Sequence, residues 1–281
     1  RTEKMMSDAV IQALKKFVPE EDIRLGESMA EHTTFRIGGP ADCLVQIGSR
    51  QQLVQVQRYL RLVEVPFFIL GNGSNLLVSD KGYPGIVLQI GQKMSNIEVQ
   101  GDVIIAQAGA SMARIARAAQ EHGLTGLEFA SGIPGTIGGG IVMNAGAYDG
   151  ELSQVVTQVN VVNSEGEYME LENETMEFGY RTSTIRNNPF TVTEVILKLT
   201  KGDRERIKAK MEDLATRRRE KQPLEYPSAG STFKRPKGYF AGKLIMDAGM
   251  RGFRVGGAGV SEKHCGFVVN FGKATAEDVR S

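Results

Sequence analysis

Tryptophan is absent from this 281-residue chain, and cysteine occurs only at Cys43 and Cys265. Two thiols so far apart form no disulfide framework and no Cys-x-x-Cys frame, so stability must come from a packed core, and the thiols fit a reducing compartment. No apolar run reaches the roughly 18 residues that a membrane span needs. Asp8, Lys15 and Lys16 interrupt the N-terminal amphipathic stretch, which does not read as a signal peptide. A cytoplasmic protein with no membrane partner is expected. An excess of one charge is also missing: 34 Lys+Arg against 33 Asp+Glu leave +1. Proteins that hold nucleic acid by bulk charge are strongly basic, so no nucleic-acid partner is expected. The only local basic run is Arg217-Arg218-Arg219, readable as a solvated helix end or as an anion contact. His32, His122 and His264 lack metal-ligand spacing, so no metal site is expected. There is no Gly-x-x-x-x-Gly-Lys-Ser/Thr loop, and no Gly-x-Gly-x-x-Gly with an acidic partner about 20 residues on, so neither a P-loop nor a Rossmann unit is supported.

Glycine is what the chain has in abundance, 33 residues in all. The densest stretch, residues 131–148, contains Gly132, Gly135, Gly138, Gly139, Gly140 and Gly146. A glycine inside an element costs about 0.5–1 kcal/mol relative to alanine, so such a cluster needs a reason. A backbone that must approach something flat or anionic, with its N–H groups turned towards it, supplies one. A second segment, Gly71-Asn72-Gly73-Ser74-Asn75, follows the apolar run Phe67-Phe68-Ile69-Leu70. Its composition suits either an anion nest or a tight turn between strands. Together the two segments point to a large cofactor with a pyrophosphate at one end and a planar ring at the other.

Periodicity predicts a helix over 7–18, strands at 33–37 and 43–47, and a helix from a Ser49/Gln52 capping box to about Val63. Further strands are expected at 67–70, 76–78 and 86–88. A hairpin turning on Gly101-Asp102, a helix over 111–121 ended by Gly123, and strands at 155–162, 168–171 and 191–199 follow. A charged helix over 203–220 reads as a connector, and Pro223 and Pro227 mark a boundary behind it. Beyond lie a loop over 230–236, a helix near 241–248, a Gly256-Gly257 turn, a strand at 267–270 and a helix capped by Thr275 with Asp278. The expected domains are 1–94, 95–220 and 221–281, with the natural C-terminus expected past Ser281.

Two other segments suit chemistry. Ser231, with Lys234 nearby, lies in a Gly/Pro-bounded loop, where a hydroxyl donor beside an anion-binding cation or an ordinary turn is expected. Arg181 follows a Gly-aromatic step, where it reads as a two-point carboxylate clamp or as a surface ion pair. Ser261-Glu262-Lys263-His264-Cys265 reads as structural, because adjacent residues rarely form a catalytic dyad.

Thr33–Asp42, Leu70–Leu76, Gly132–Thr136 with Asn144–Tyr148, Tyr180–Ser183 and Pro227–Pro236 together resemble the UDP-N-acetylenolpyruvoylglucosamine reductases, in that family's order and over most of the chain. The short interval from Arg181 to Ser231 resembles the compact subgroup. The resemblance implies an α+β fold: a two-subdomain FAD-binding part of the vanillyl-alcohol-oxidase type, then a C-terminal α+β substrate-binding domain. It implies non-covalent FAD, NADPH as co-substrate and a small nucleotide-sugar substrate. Gly71, Asn72, Gly73, Ser74, Asn75 and Leu76 would hold the pyrophosphate. Pro134, Gly135, Gly138, Gly139, Gly140 and Gly146 would line the flavin. Arg181 would stabilise the enolate, and Ser231 would deliver the proton. Tyr148, Tyr180, Lys234 and Arg235 are candidate substrate contacts, and Arg235 stands where some relatives carry Asn. The family's C-terminal catalytic Glu has no counterpart here; neither Glu262 nor Glu277 matches its motif. A same-fold flavoprotein with another substrate, and a non-catalytic nucleotide-sugar binder, are the alternatives.

Overall fold

The computed structural model describes residues 7–281. Its backbone groups into two compact units. One takes the chain up to Arg24, Leu44–Gly71 and Ile86–Thr216; the other takes Leu25–Cys43, Asn72–Gly85 and Arg217–Ser281. The division at 94/95 and 220/221 follows chain order, whereas the compact units draw two short early segments into company with the C-terminal part.

The first unit is built on a five-stranded antiparallel sheet in the order Tyr168–Glu172, Val156–Val162, Thr191–Lys198, Val103–Gln107, Ile97–Gln100. Its outer pair is the expected hairpin, turning on Gly101 at φ +64. Helix α1 (Asp8–Leu14) starts at the Ser7 cap but stops short of the predicted end, leaving Val18 buried outside it. Helix α2 (Arg50–Leu62) starts where Ser49 Oγ accepts from Gln52 N–H at 3.2 Å. The reciprocal half of that predicted capping box is displaced by one residue: Gln52 Oε1 accepts from Gly48 N–H at 2.8 Å. Helix α3 (Met112–Glu121) is capped by Ser111 and buries Ile115, Ala116 and Ala119, and Gly123 follows it at φ +66. Strands Phe67–Leu70 and Tyr83–Ile90 run parallel, Phe67 opposite Ile86.

Helix α4 (Ile137–Met143) occupies part of the stretch read only as glycine-rich. Propensity opposes it, since each of three successive glycines costs about 0.8–1 kcal/mol against alanine. Its caps and packing offset that cost. Thr136 Oγ1 accepts from Gly139 N–H at 3.3 Å, and Asn144 ends the helix in the left-handed region at φ +43. Helix α5 (Arg204–Lys221) follows the last sheet strand and matches the expected charged helix.

Just ahead of α4, Glu128 is only 3% exposed. Burial alone would push its carboxyl up. Hydrogen bonds from Thr125 Oγ1 and from backbone N–H groups, with Lys210 Nζ at 4.0 Å, outweigh burial and hold it below the usual carboxylate range. A depressed folded-state value contributes stability above the unfolded value of about 4.3 and loses it as pH falls through the folded one. Glu128→Gln is therefore expected to lower the melting temperature at neutral pH and to flatten its fall below about pH 4. Parallel melting curves for the two proteins across that range would overturn this account.

The second unit carries an antiparallel sheet in the order Ser228–Ser231, Phe267–Asn270, Ala258–Val260, Arg254–Val255. Phe35, Ile37 and Ala276 form a core here, with Ala229, Val268, Ala274 and Val279 against it. Two predicted strands are not formed. Residues 33–37 alternate buried and exposed as a strand would, but Arg36 sits at φ +54, which no ladder accommodates. Thr34 N–H donates instead to Gly73 O at 3.1 Å. Residues 76–78 are likewise irregular. Residues 230–231, read as loop, end a strand. Helix α6 (Ala241–Asp247) buries none of its side chains. Helix α7 (Ala276–Arg280) begins with the expected Thr275/Asp278 box, and Asp80 adds two further bonds, accepting from Ala276 and Glu277 N–H at 2.7 and 3.0 Å.

Candidate active site

The first unit holds a cleft lined by Ile69 to Gly71 from the end of one strand, Ile90, Ala108, and Thr136, Gly138, Gly139 and Val142 from α4 and its cap. Ile185, Phe190, Thr191 and Val192 complete it. Gly71 and the densest glycine-rich stretch, 65 residues on at Thr136, thus share one wall. A Cβ on Gly71 would run into Thr136 Oγ1.

The glycines of α4 do two different things. A Cβ on Gly138 would lie 3.0 Å from Ala108 Cβ, and one on Gly140 would lie 2.7 Å from Met112 Sδ. Those two let the helix seat against its neighbours. Gly139 meets only Thr136 Oγ1, at 3.5 Å, and its bare face belongs to the cleft. One expectation is corrected here. The N–H groups of 137–140 do not turn to a ligand: Ile137 donates to Ala110 O at 2.8 Å, Gly138 to Ala108 O at 2.9 Å, Gly139 to Thr136 Oγ1 and Gly140 to Thr136 O. The segment offers flatness rather than anion binding. Of the residues expected along the ring, Gly138 and Gly139 line the cleft; Pro134, Gly135, Gly140 and Gly146 do not. The remaining lining residues carry no sequence pattern beyond being apolar, except Thr136 and Thr191.

Past α4, strands Gly146–Ala147 and Gly150–Glu151 form a hairpin whose two turn residues, Tyr148 and Asp149, stand at φ +51 and +64. That is the two-residue turn which normally takes Asn-Gly, and Tyr148 there is strained. A Cβ on Gly146 would come within 2.6 Å of Gly150 O, so the hairpin needs glycine at that position. Arg181 is strained as well. It sits at φ +57 in a turn closed by Gly179 N–H to Thr182 O at 3.1 Å and Thr182 N–H to Gly179 O at 3.3 Å. Its Nη2 donates to Gly146 O at 3.1 Å, and its guanidinium lies 5.4 Å from the Tyr180 ring centre. Tyr148 and Tyr180 are both exposed. Left-handed backbone at non-glycine positions costs about 1–3 kcal/mol each and gathers where function requires it.

In the second unit, Asn72 to Leu76 form an irregular loop. Gly73 is buried at φ +61, and a Cβ there would strike His32 O. Ser231 is the exposed last residue of its strand, in register with Phe267. Thr232 N–H donates to Gly266 O at 2.8 Å, which fixes the backbone behind the serine. Lys234 and Arg235 are exposed; Arg235 lies 3.9 Å over the Phe240 ring and donates from Nε to Tyr239 O at 3.3 Å. Among the described residues, no group of three His, Cys, Asp or Glu is arranged to hold a metal, and no helix is long and apolar enough to cross a membrane.

A cleft walled by side-chain-poor backbone and aliphatic residues accepts a planar, weakly polar body and gives a charged one no partner. That fits the ring systems of FAD. A model of the FAD binding domain matches residues 41–172, and a model of the C-terminal domain of UDP-N-acetylenolpyruvoylglucosamine reductase matches residues 222–281. The curated UDP-N-acetylenolpyruvoylglucosamine reductase of Caldanaerobacter subterraneus is 53% identical over 274 residues, covering 98% of this chain and 90% of the relative. That of Clostridium perfringens is 50% identical over 266 residues, covering 95% and 87%. The crystal structure of the Thermus caldophilus enzyme superposes with a TM-score of 0.81 at 36% identity, over 92% of this chain and 91% of that one. Likeness to p-cresol methylhydroxylase, 14% identical with a TM-score of 0.53 over 69% of this chain and 43% of that one, concerns the fold alone. The α+β fold of the vanillyl-alcohol-oxidase type with its added C-terminal domain is thereby borne out. With the two family models in order and half the residues shared with relatives along nearly its whole length, the chain belongs to the UDP-N-acetylenolpyruvoylglucosamine reductase family.

Proposed function

We infer that the chain reduces the enolpyruvyl ether of UDP-N-acetylenolpyruvoylglucosamine to give UDP-N-acetylmuramate for peptidoglycan synthesis. Near-complete coverage by relatives of that name carries this conclusion. FAD, when bound, supplies a two-electron carrier between NADPH and the sugar. Gly138 and Gly139 would hold its flat part, and Gly71 to Leu76, with Gly73 in the left-handed region, would meet its pyrophosphate. The specific match at 222–281 favours this substrate over another for the same fold. A sugar nucleotide, NADPH and reduced thiols all suit the cytoplasm.

The reaction adds hydride to the terminal vinyl carbon C3 and a proton to C2, turning a double bond into a single one while the ether oxygen stays attached. Once hydride has arrived, negative charge lies on C2 and the carboxylate. The role proposed for Arg181 is to meet that charge with a permanently protonated, two-pronged guanidinium, held in advance by its strained turn. Ser231 would give its hydroxyl proton to C2, with Lys234 lowering the cost of the alkoxide left behind. Lys234 and Arg235 offer cations to the diphosphate, and the exposed rings of Tyr148 and Tyr180 offer faces to the nucleotide sugar.

Purified protein should take up FAD, bleach with NADPH and regain colour when the enolpyruvyl sugar is added. Bleached protein that ignores the sugar would overturn the substrate assignment. Arg181→Ala should leave bleaching by NADPH near normal and slow recolouring by about 10²–10³-fold, the loss seen when a single pre-set donor to developing charge is removed. Equal slowing of both phases would remove Arg181 from the chemistry.

A further inference from the structure

Asn144 is 1% exposed and stands at φ +43, at the C-terminal cap of α4. Glycine takes that conformation without steric cost and is the usual residue at such an end. A side chain kept there therefore has a task, and both ends of the amide are engaged. Nδ2 donates to Gly179 O at 3.2 Å, and Oδ1 accepts from Ser153 N–H at 3.0 Å. A carbonyl only accepts and a peptide N–H only donates, so the two partners fix the orientation of the amide without ambiguity.

Gly179 is the residue that closes the Arg181 turn, through the paired bonds with Thr182. Ser153 follows the hairpin whose Gly146 carbonyl receives the Arg181 guanidinium. One buried amide thus ties the end of α4 to the backbone under Arg181 and to the segment beside its side-chain acceptor. Ser183 Oγ reinforces the tie by donating to Val142 O at 3.1 Å, and Arg186 Nη1 donates to Arg181 O at 3.3 Å.

We propose that Asn144 is a positioning residue for Arg181: it touches no substrate, but its amide clasps the strained turn so that the guanidinium is set before the substrate arrives. The inference rests on Arg181 acting on the substrate's developing charge. Misplacement of a reacting group by about 1 Å costs on the order of 10²-fold.

Asn144→Gly is the decisive variant, because it keeps the left-handed backbone at no steric cost and deletes the clasp alone. Recolouring of NADPH-bleached protein by the enolpyruvyl sugar is expected to slow about 10- to 100-fold, with bleaching itself changed less than about threefold and FAD retained. The double variant with Arg181→Ala should be no slower than Arg181→Ala alone. Wild-type recolouring, equal slowing of both phases, or full additivity with Arg181→Ala would each overturn the proposal. If Arg181→Ala itself recolours normally, the role given to Arg181 falls instead. Should Asn144→Gly not fold, Asn144→Asp serves in its place, since it keeps the acceptor for Ser153 and the tolerance of left-handed backbone but turns an oxygen towards Gly179 O; the same outcomes decide.

Discussion

Ser231→Ala is expected to leave reduction by NADPH within about twofold of wild type and to slow transfer to the enolpyruvyl sugar by about 10²–10⁴-fold, the range for loss of a positioned general acid. The serine sits at the exposed end of a strand pinned by backbone pairing with Phe267 and by the Thr232–Gly266 bond, so removing one oxygen should not disturb the fold. Rapid mixing of bleached enzyme with sugar measures the second phase directly. In heavy water the wild-type second phase should carry a solvent isotope effect that Ser231→Ala alters. Loss in both phases to the same degree would show that Ser231 supports the structure and does not deliver the proton to C2.

Gly138→Val should give a colourless protein. Its Cβ would lie 3.0 Å from Ala108 Cβ and 3.1 Å from Ala108 O, the carbonyl to which Gly138 N–H is already bonded. Neither atom can swing aside, so α4 must shift. Overpacking of this kind costs about 1–3 kcal/mol, or roughly 2–12 °C of melting temperature, and it moves the wall of the cleft. Gly139→Val is the informative contrast. Its Cβ meets only Thr136 Oγ1, at 3.5 Å, so the cofactor-free protein should melt as wild type does while FAD binding weakens severely. Titration with FAD followed by flavin fluorescence separates the two. Full loading of both variants would refute the assignment of this cleft to FAD.

Much of this architecture could be read along the chain, because short-range chemistry fixed it. Ser111 and Thr275 cap helices with their own hydroxyls, Gly101 turns a hairpin, and Gly123 stands just past a helix end. What escaped depended on partners distant in sequence. Residues 33–37 alternate like a strand, yet Thr34 N–H donates to Gly73 O, Arg36 N–H to Thr33 O, and Phe35 O accepts from the Asn270 side chain, so burial alternation without a ladder misled. Helix α4 was hidden because glycine composition argues against a helix. Its brackets, Thr136 at one end and Asn144 at the other, were the only local signals, and the neighbours it seats against, Ala108, Met112 and Leu152 among them, lie outside the segment. The first strip of the cleft wall, Gly71, was legible only as part of a glycine-rich segment after an apolar run; Ile185, Phe190 and Thr191, which line the same cleft, carried no signal at all.

Helix α4 is seven residues long, about 10 Å at 1.5 Å per residue. One end floors the cleft and the other carries the amide beneath Arg181. The cofactor seat and the anion receptor proposed above would therefore ride on a single short rod and share one mechanical degree of freedom. Selection cannot retune one without moving the other, so variation in substrate preference across relatives should accumulate off this rod, in the tyrosines and the exposed basic loop, while the rod itself stays fixed.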